Sequence, residues 1–209
     1  MAEEAQAAVV VIVVAGPSGG GKTTLVRHLA AVLGNATEVY FDDYAAVSTY
    51  PADMPHWVVT GADPNQWQTP RLVDDVQALR AGSTVVHPDG TTVLQPAHYI
   101  VMEEPFGRER QEIAPLIDFV VVIDVPLEIA LARRIRRTFS VGLEQWSAEQ
   151  LLKHVDSYLD DYIAFGSTLY GAVNSRALAS CDLAVDGRQP VEQLAEQITT
   201  AVRSRFLPG

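Results

Sequence analysis

Residues Gly16-Pro17-Ser18-Gly19-Gly20-Gly21-Lys22-Thr23 spell G-x-x-x-x-G-K-T, and no other stretch constrains the fold so tightly. The run before it, AAVVVIVVAG over 7–16, is apolar and rich in β-branched residues, which suits a strand buried on both faces of a parallel sheet. After it, the pattern predicts a helix from Lys22 to about Leu33, stopped by Gly34. The chemistry explains the spelling. A polyphosphate must approach bare backbone N–H groups, and Gly19, Gly20 and Gly21 remove the Cβ atoms in its way. The helix aims its dipole and free N–H groups at the anion. Lys22 reaches the β and γ phosphates, and the Thr23 hydroxyl is suited to Mg²⁺.

Strand and helix signals alternate along the rest of the chain. Thr37–Phe41 reads as a second strand. Ala45–Trp67, broken by Pro51, Pro55, Gly61 and Pro64, reads as an irregular, substrate-facing stretch. Thr69 is placed as the N-cap of a helix that opens with Pro70 and ends at Gly82. Thr84–Val86 and Thr91–Leu94 flank a hairpin turn, and Tyr99–Glu103 and Phe119–Asp124 are apolar strands. A helix from Pro126 reaches four arginines and is expected to give way to a mobile segment over Thr138–Glu144. Ser147 and Gln150 form a capping box for a helix extending to about Phe165. Leu183–Val185 is a last strand and Pro190–Phe206 a terminal amphipathic helix, whose apolar residues fit core packing or pairing with a second copy. This alternation implies an α/β architecture, a mostly parallel sheet covered by helices on both faces.

Composition narrows the function classes. Fifteen Lys plus Arg stand against 26 Asp plus Glu, a formal net charge of −11, and so acidic a surface argues against nucleic acid as a partner. A phosphate-bearing ligand must therefore be held by locally concentrated donors. One cysteine, Cys181, rules out an internal disulfide and points to a reducing, cytoplasmic setting. The run at 7–16 is far short of the ~20 residues that span a bilayer, and Glu3 and Glu4 are the wrong charge for a signal peptide. No membrane association is expected.

Three further clusters bear on the chemistry. Asp42 and Asp43 follow the second strand, where carboxyl ends of strands meet the ligand crevice. One of them, Asp42 by preference, can accept a proton from an attacking hydroxyl or orient Mg²⁺-bound water, leaving Asp43 to a solvated turn. Glu103 and Asp124 each close an apolar strand and each fits a second metal contact; periodicity does not choose between them, and Glu103 is preferred. Arg133, Arg134, Arg136 and Arg137 crowd one helix of an acidic chain. Guanidinium groups there can stabilise charge on a transferring phosphoryl group, and the later pair is preferred. Trp57 and Trp67 are candidates to stack on an acceptor ring.

The order and spelling of these elements resemble the uridine kinase-like group of P-loop kinases, which includes uridine–cytidine kinases and nicotinamide riboside kinases. GPSGGGKTT at 16–24, FDDY at 41–44, IVMEE at 100–104, LARRIRRT at 131–138 and CDLAVDG at 181–187 carry the resemblance. It implies a three-layer P-loop NTPase fold with a small lid: one domain over 1–209, an acceptor-binding insertion at about 45–98 and the lid at about 133–146. It implies ATP and Mg²⁺ bound by Gly16, Ser18, Gly19, Gly20, Gly21, Lys22, Thr23 and Thr24, with Arg133 and Gly187 beside the nucleotide. Asp42 would be the base, Arg137 a phosphate contact, and Thr23, Asp42 and Glu103 the metal set. Tyr44, Asp63 and Trp67 would hold the acceptor. The chain departs from the family at Glu104, where glycine is usual. The expected activity is phosphoryl transfer to a hydroxyl of a small molecule, a nucleoside before all. The alternatives are a non-nucleoside alcohol (pantothenate, glycerate or a sugar phosphate) or a nucleotide-dependent switch ATPase.

Overall fold

The structure, a computed structural model, describes residues 8–206. Strand β1 (Val10–Ala15) is buried along its whole length. Its side chains alternate, so its two faces seed two cores. Val11, Val13 and Ala15 join one apolar cluster, and Val10, Ile12 and Val14 join the other. Helix α1 (Lys22–Leu33) begins at Gly21 and ends at Gly34. Strand β2 (Ala36–Val39) follows. A 3₁₀ segment then spans Phe41–Val47, and helix α2 (Met54–Val59) and a 3₁₀ turn at Pro64–Gln66 lie in the stretch expected to be irregular. A backbone pair between Thr49 and Gln68 ties the two ends of that stretch together.

Helix α3 (Pro70–Arg80) starts at Pro70 as the sequence predicts, but Thr69 does not cap it with its side chain. The Thr69 hydroxyl instead accepts from Arg110 and donates to Glu112. Strands β3 (Val85–Val86) and β4 (Val93–Leu94) make the hairpin. β5 (Tyr99–Glu103), β6 (Phe119–Asp124) and β7 (Leu183–Asp186) complete a five-stranded parallel sheet in the order β2-β5-β1-β6-β7. β1 sits between β5 and β6, so the chain turns to opposite sides of it. A crevice for ligand forms outside the carboxyl ends of strands at such a point.

Helix α4 (Leu127–Gln145) does not release Thr138–Glu144 as a separate segment; the helix runs through them. Gly142 is no breaker here. A Cβ on it would lie 2.6 Å from Leu151 Cδ1 and 2.9 Å from Trp146 Cε3, so its bareness serves close packing on the next helix. That helix, α5 (Ala148–Asp161), opens with the Ser147–Gln150 capping box. One π turn at Tyr162–Gly166 joins it to α6 (Ser167–Ser180), so helical backbone continues well beyond the expected stop near Phe165. Helix α7 (Val191–Phe206) buries Leu194, Ala195, Ile198 and Val202 in the α1 side of the core, so core packing accounts for its apolar stripe. No helix among the described residues is long and apolar enough to cross a membrane.

Candidate active site

The loop between β1 and α1 holds Gly16, Gly19 and Gly21 at φ values of +139°, +82° and +103°, conformations that L side chains rarely adopt. Two of these glycines do different work. A Cβ on Gly19 would collide with the backbone carbonyl of Ala130, so the loop is seated directly on α4. A Cβ on Gly21 would meet nothing within 4 Å, on the open side of the loop. Behind the loop, the Lys22 ammonium donates to the Pro17 carbonyl at 3.2 Å and pairs with Glu103 Oε1 at 3.4 Å. Thr23 Oγ1 donates to Glu103 Oε2 at 2.8 Å.

These groups line one cleft of about 500 Å³, together with Gly16, Ser18, Thr24, Asp42 and three arginines. The cleft takes Glu103, the preferred acid, and not Asp124, which lies exposed at the end of β6. It also takes Asp42 while its neighbour turns away: Asp43 pairs with His87 Nε2 at 3.0 Å. Of the preferred pair, Arg137 lines the cleft and Arg136 does not; the other lining arginines are Arg133 and Arg134. The helical period explains this. Ala130 is the residue under Gly19, and positions three, four and seven further on share its face. Arg133 Nη2 donates to the Gly187 carbonyl at 2.9 Å, and Arg134 lies 5.3 Å over the Tyr158 ring. Burial and the neighbouring Tyr170 push the Tyr158 phenol up, so that ring stays neutral beside the guanidinium.

Much of the remaining lining is apolar and aromatic: Phe41, Met54, Trp57, Trp67, Phe106, Leu169, Tyr170 and Val173. Trp67 is its hub, with ring centres 6.1 Å from Phe41, 5.4 Å from Tyr50, 5.9 Å from Trp57 and 5.8 Å from Phe106. The walls come from the segment after β2, from the connection after β5 and from α6.

Four residues expected at the site do not line it, the first being Gly20, which is buried in the loop with its N–H donating to the Pro17 carbonyl at 3.0 Å. Tyr44 is fully buried and does not line the cleft; its hydroxyl donates to Asp75 at 3.0 Å, and burial together with Asp75 pushes its phenol up. Asp63 is exposed and caps the turn at Pro64, its carboxylate held low by the backbone and side-chain N–H groups of Asn65. Gly187 is absent from the lining and touches the site only through its carbonyl on Arg133. Its bareness has a packing cause, since a Cβ would lie 2.6 Å from Ile123 Cγ2 and 2.9 Å from Val125 Cβ.

The residues present suit a magnesium-bound nucleoside triphosphate. A glycine loop with an unobstructed face, a helix N-terminus and an ammonium form an anion cradle. A hydroxyl and a carboxylate beside it are hard oxygen donors of the kind Mg²⁺ uses, in a site that leaves the remaining positions to water and phosphate.

No family model matches the chain, and no curated protein matches its sequence. Solved structures do resemble it. A candidate fructose transport system kinase from Silicibacter sp. TM1040 superposes with a TM-score of 0.56 at 17% identity, covering 88% of this chain and 93% of the other. A candidate uridine kinase from Bacillus stearothermophilus gives a TM-score of 0.50 at 19% identity, covering 88% and 92%. The fold is thus the α/β fold of P-loop kinases.

Proposed function

We propose that this chain is an ATP- and Mg²⁺-dependent phosphotransferase that moves the γ-phosphoryl group to a hydroxyl of a small molecule, and that the acceptor is a nucleoside. The reading rests on one observation: a phosphate cradle and a set of uncharged aromatic side chains line the same cleft, with Asp42 on its wall. Bound Mg²⁺, held through Thr23, Glu103 and Asp42, would neutralise phosphate charge and fix the oxygens. Asp42 takes the proton of the attacking hydroxyl. The new O–P bond forms as the bond to the β-phosphate oxygen breaks, and ADP leaves. Lys22 and Arg137, flanked by Arg133 and Arg134, offset the charge spread over the moving group. A lid over 133–146 would exclude water during transfer, and a cytoplasmic setting would supply the ATP.

The chamber favours a nucleoside over anionic alcohols. The cations on the cleft wall are Lys22 at the start of α1 and Arg133, Arg134 and Arg137 on α4, and none comes from the segments that supply the aromatic lining. A carboxylate or second phosphate would be desolvated there without a partner. A neutral acceptor with a flat ring finds Trp67, Phe41 and Phe106 instead.

The test is a panel of nucleosides, neutral alcohols and anionic alcohols with Mg-ATP, read as ADP release. Release should require acceptor and be greatest with a nucleoside. Lys22→Ala and Asp42→Asn should each cut it by at least ~100-fold with the circular dichroism spectrum unchanged. Acceptor-independent ADP release would replace this reading with a switch ATPase, and near-normal transfer by Asp42→Asn would remove its base.

A further inference from the structure

Arg110 and Glu104 are both 0% exposed, and neither lines the cleft. They lie in the connection between β5 and β6. The guanidinium forks onto Glu104, with Nε 3.2 Å from Oε1 and Nη2 2.6 Å from Oε2. Its remaining edge, Nη1, donates to the Trp67 carbonyl at 3.0 Å, to Thr69 Oγ1 at 2.8 Å and to Glu112 Oε1 at 2.6 Å. Its face lies 5.3 Å over the Phe41 ring. Glu104 Oε1 also accepts from the Phe106 backbone N–H at 3.2 Å, and Glu112 Oε1 from the Thr69 N–H at 2.8 Å. Full burial pushes the Glu104 carboxyl up from its ordinary range, while Arg110 pulls it back.

One buried cation thus touches three separate pieces of chain, and each holds part of the cleft. Phe41 adjoins Asp42. Trp67 is the aromatic hub. Glu104 follows Glu103, the partner of Thr23 and Lys22. Stability alone is a poor account of such a pair, since well-packed apolar residues often replace a buried ion pair at no net cost. What apolar residues cannot reproduce is a planar fork with fixed donor directions. The contacts of Arg110 run to the Phe41 ring and Trp67 carbonyl of the acceptor end, to Glu104 just after β5, and to the Thr69 and Glu112 side chains beside them.

We propose that Arg110, with Glu104 as its counter-ion, is a positioning residue that sets the acceptor chamber in register with the phosphate end. This rests on the phosphotransferase reading. The clamp acts through Trp67 and Phe41 on the acceptor, and it leaves the glycine loop alone.

The experiment compares the full chain with three variants: Arg110→Lys, Glu104→Gln, and the charge-free double variant Arg110→Met/Glu104→Met. Two readouts are taken on each variant that keeps its circular dichroism spectrum. The first is steady-state kinetics with the best acceptor of the panel. The expected result is an acceptor KM raised at least tenfold while the calorimetric Kd for Mg-ATP stays within twofold. Arg110→Lys, a point charge without the fork, should fail to restore it. The second readout needs no turnover: the ¹⁵N–¹H resonance of the Trp67 indole, assigned with Trp67→Phe, should shift or broaden while that of Trp146 holds. A variant that lowers Tm but moves neither the acceptor KM nor the Trp67 resonance overturns the proposal, because the pair is then only structural. If wild type transfers to no acceptor, the functional reading falls, and an unmoved Trp67 resonance would still refute the clamp on its own.

Discussion

Gly19 and Gly21 separate two reasons for a glycine in one loop. Both lie at positive φ, +82° and +103°, so alanine at either costs about 1–3 kcal/mol in backbone strain. Only Gly19 faces a wall. An added Cβ would overlap the Ala130 carbonyl oxygen and lie 3.0 Å from the carbonyl carbon and 3.3 Å from Arg134 Cβ. Backbone cannot rotate aside as a side chain can, so relief must come from sliding α4, at a further ~1–3 kcal/mol typical of overpacking. For a chain of this size each kcal/mol moves Tm by about 2–4 °C. Gly19→Ala should therefore melt roughly 2–12 °C below Gly21→Ala, followed by far-UV circular dichroism. The displaced helix is also the one bearing Arg133, Arg134 and Arg137, so Gly19→Ala should lower kcat more than Gly21→Ala does. Gly21→Ala should act chiefly on Mg-ATP affinity, because its new methyl enters the open side of the loop. Equal melting temperatures, or a lower one for Gly21→Ala, would refute the seating of the loop on α4.

Two other perturbations test the frame around the site. Asp182 accepts from the Val120 N–H at 2.8 Å, from Arg108 at 2.7 Å and from Arg205 at 2.6 Å. Burial alone would raise its carboxyl, but these donors outweigh burial and hold it below the usual range. A depressed folded-state value gives stability that is present above the unfolded pKa, about 3.9, and lost as pH falls through the folded value. Asp182→Asn should cost about 1.5–3 kcal/mol at pH 7, and its Tm deficit should close as the pH is taken down through that acid range. Tyr44→Phe removes one buried hydrogen bond to Asp75, which keeps its Arg71 partner at 2.7 Å. It should cost about 1 kcal/mol and leave the acceptor KM unchanged, whereas a chamber-wall residue would change it.

The parts of the molecule that local chemistry dictates were readable along the chain. The β-branched run, the glycine loop and the Ser147–Gln150 box each specify their own structure within a few residues. Strands ending at a crevice narrowed the acids to Asp42 or Asp43 and to Glu103 or Asp124, and the folded chain separates the members of each pair. Other features depend on what lies opposite. The direction of Tyr44 is set by Asp75 on α3, and the role of Gly142 by Leu151 and Trp146 across the α4–α5 corner. The helical period groups Arg133, Arg134 and Arg137 on one face, but only the seating of Gly19 on Ala130 shows that this face meets the cleft. Helix α6 gave little signal because Ser167, Gly171, Asn174 and Ser175 interleave with Leu169, Val173 and Ala177. Arg110 and Glu104 read as surface charges by type, and only the folded chain shows them enclosed.

The unbroken helical backbone from Ala148 to Ser180 works as a beam. At about 1.5 Å per residue it is about 50 Å long. Near one end Tyr158 lies under Arg134, and further on Leu169, Tyr170 and Val173 wall the aromatic chamber. Beyond them Arg176 grips the carbonyls of Gly61 and Ala62. Any rocking of that beam as one piece shifts the cationic rim and the hydrophobic lining at once.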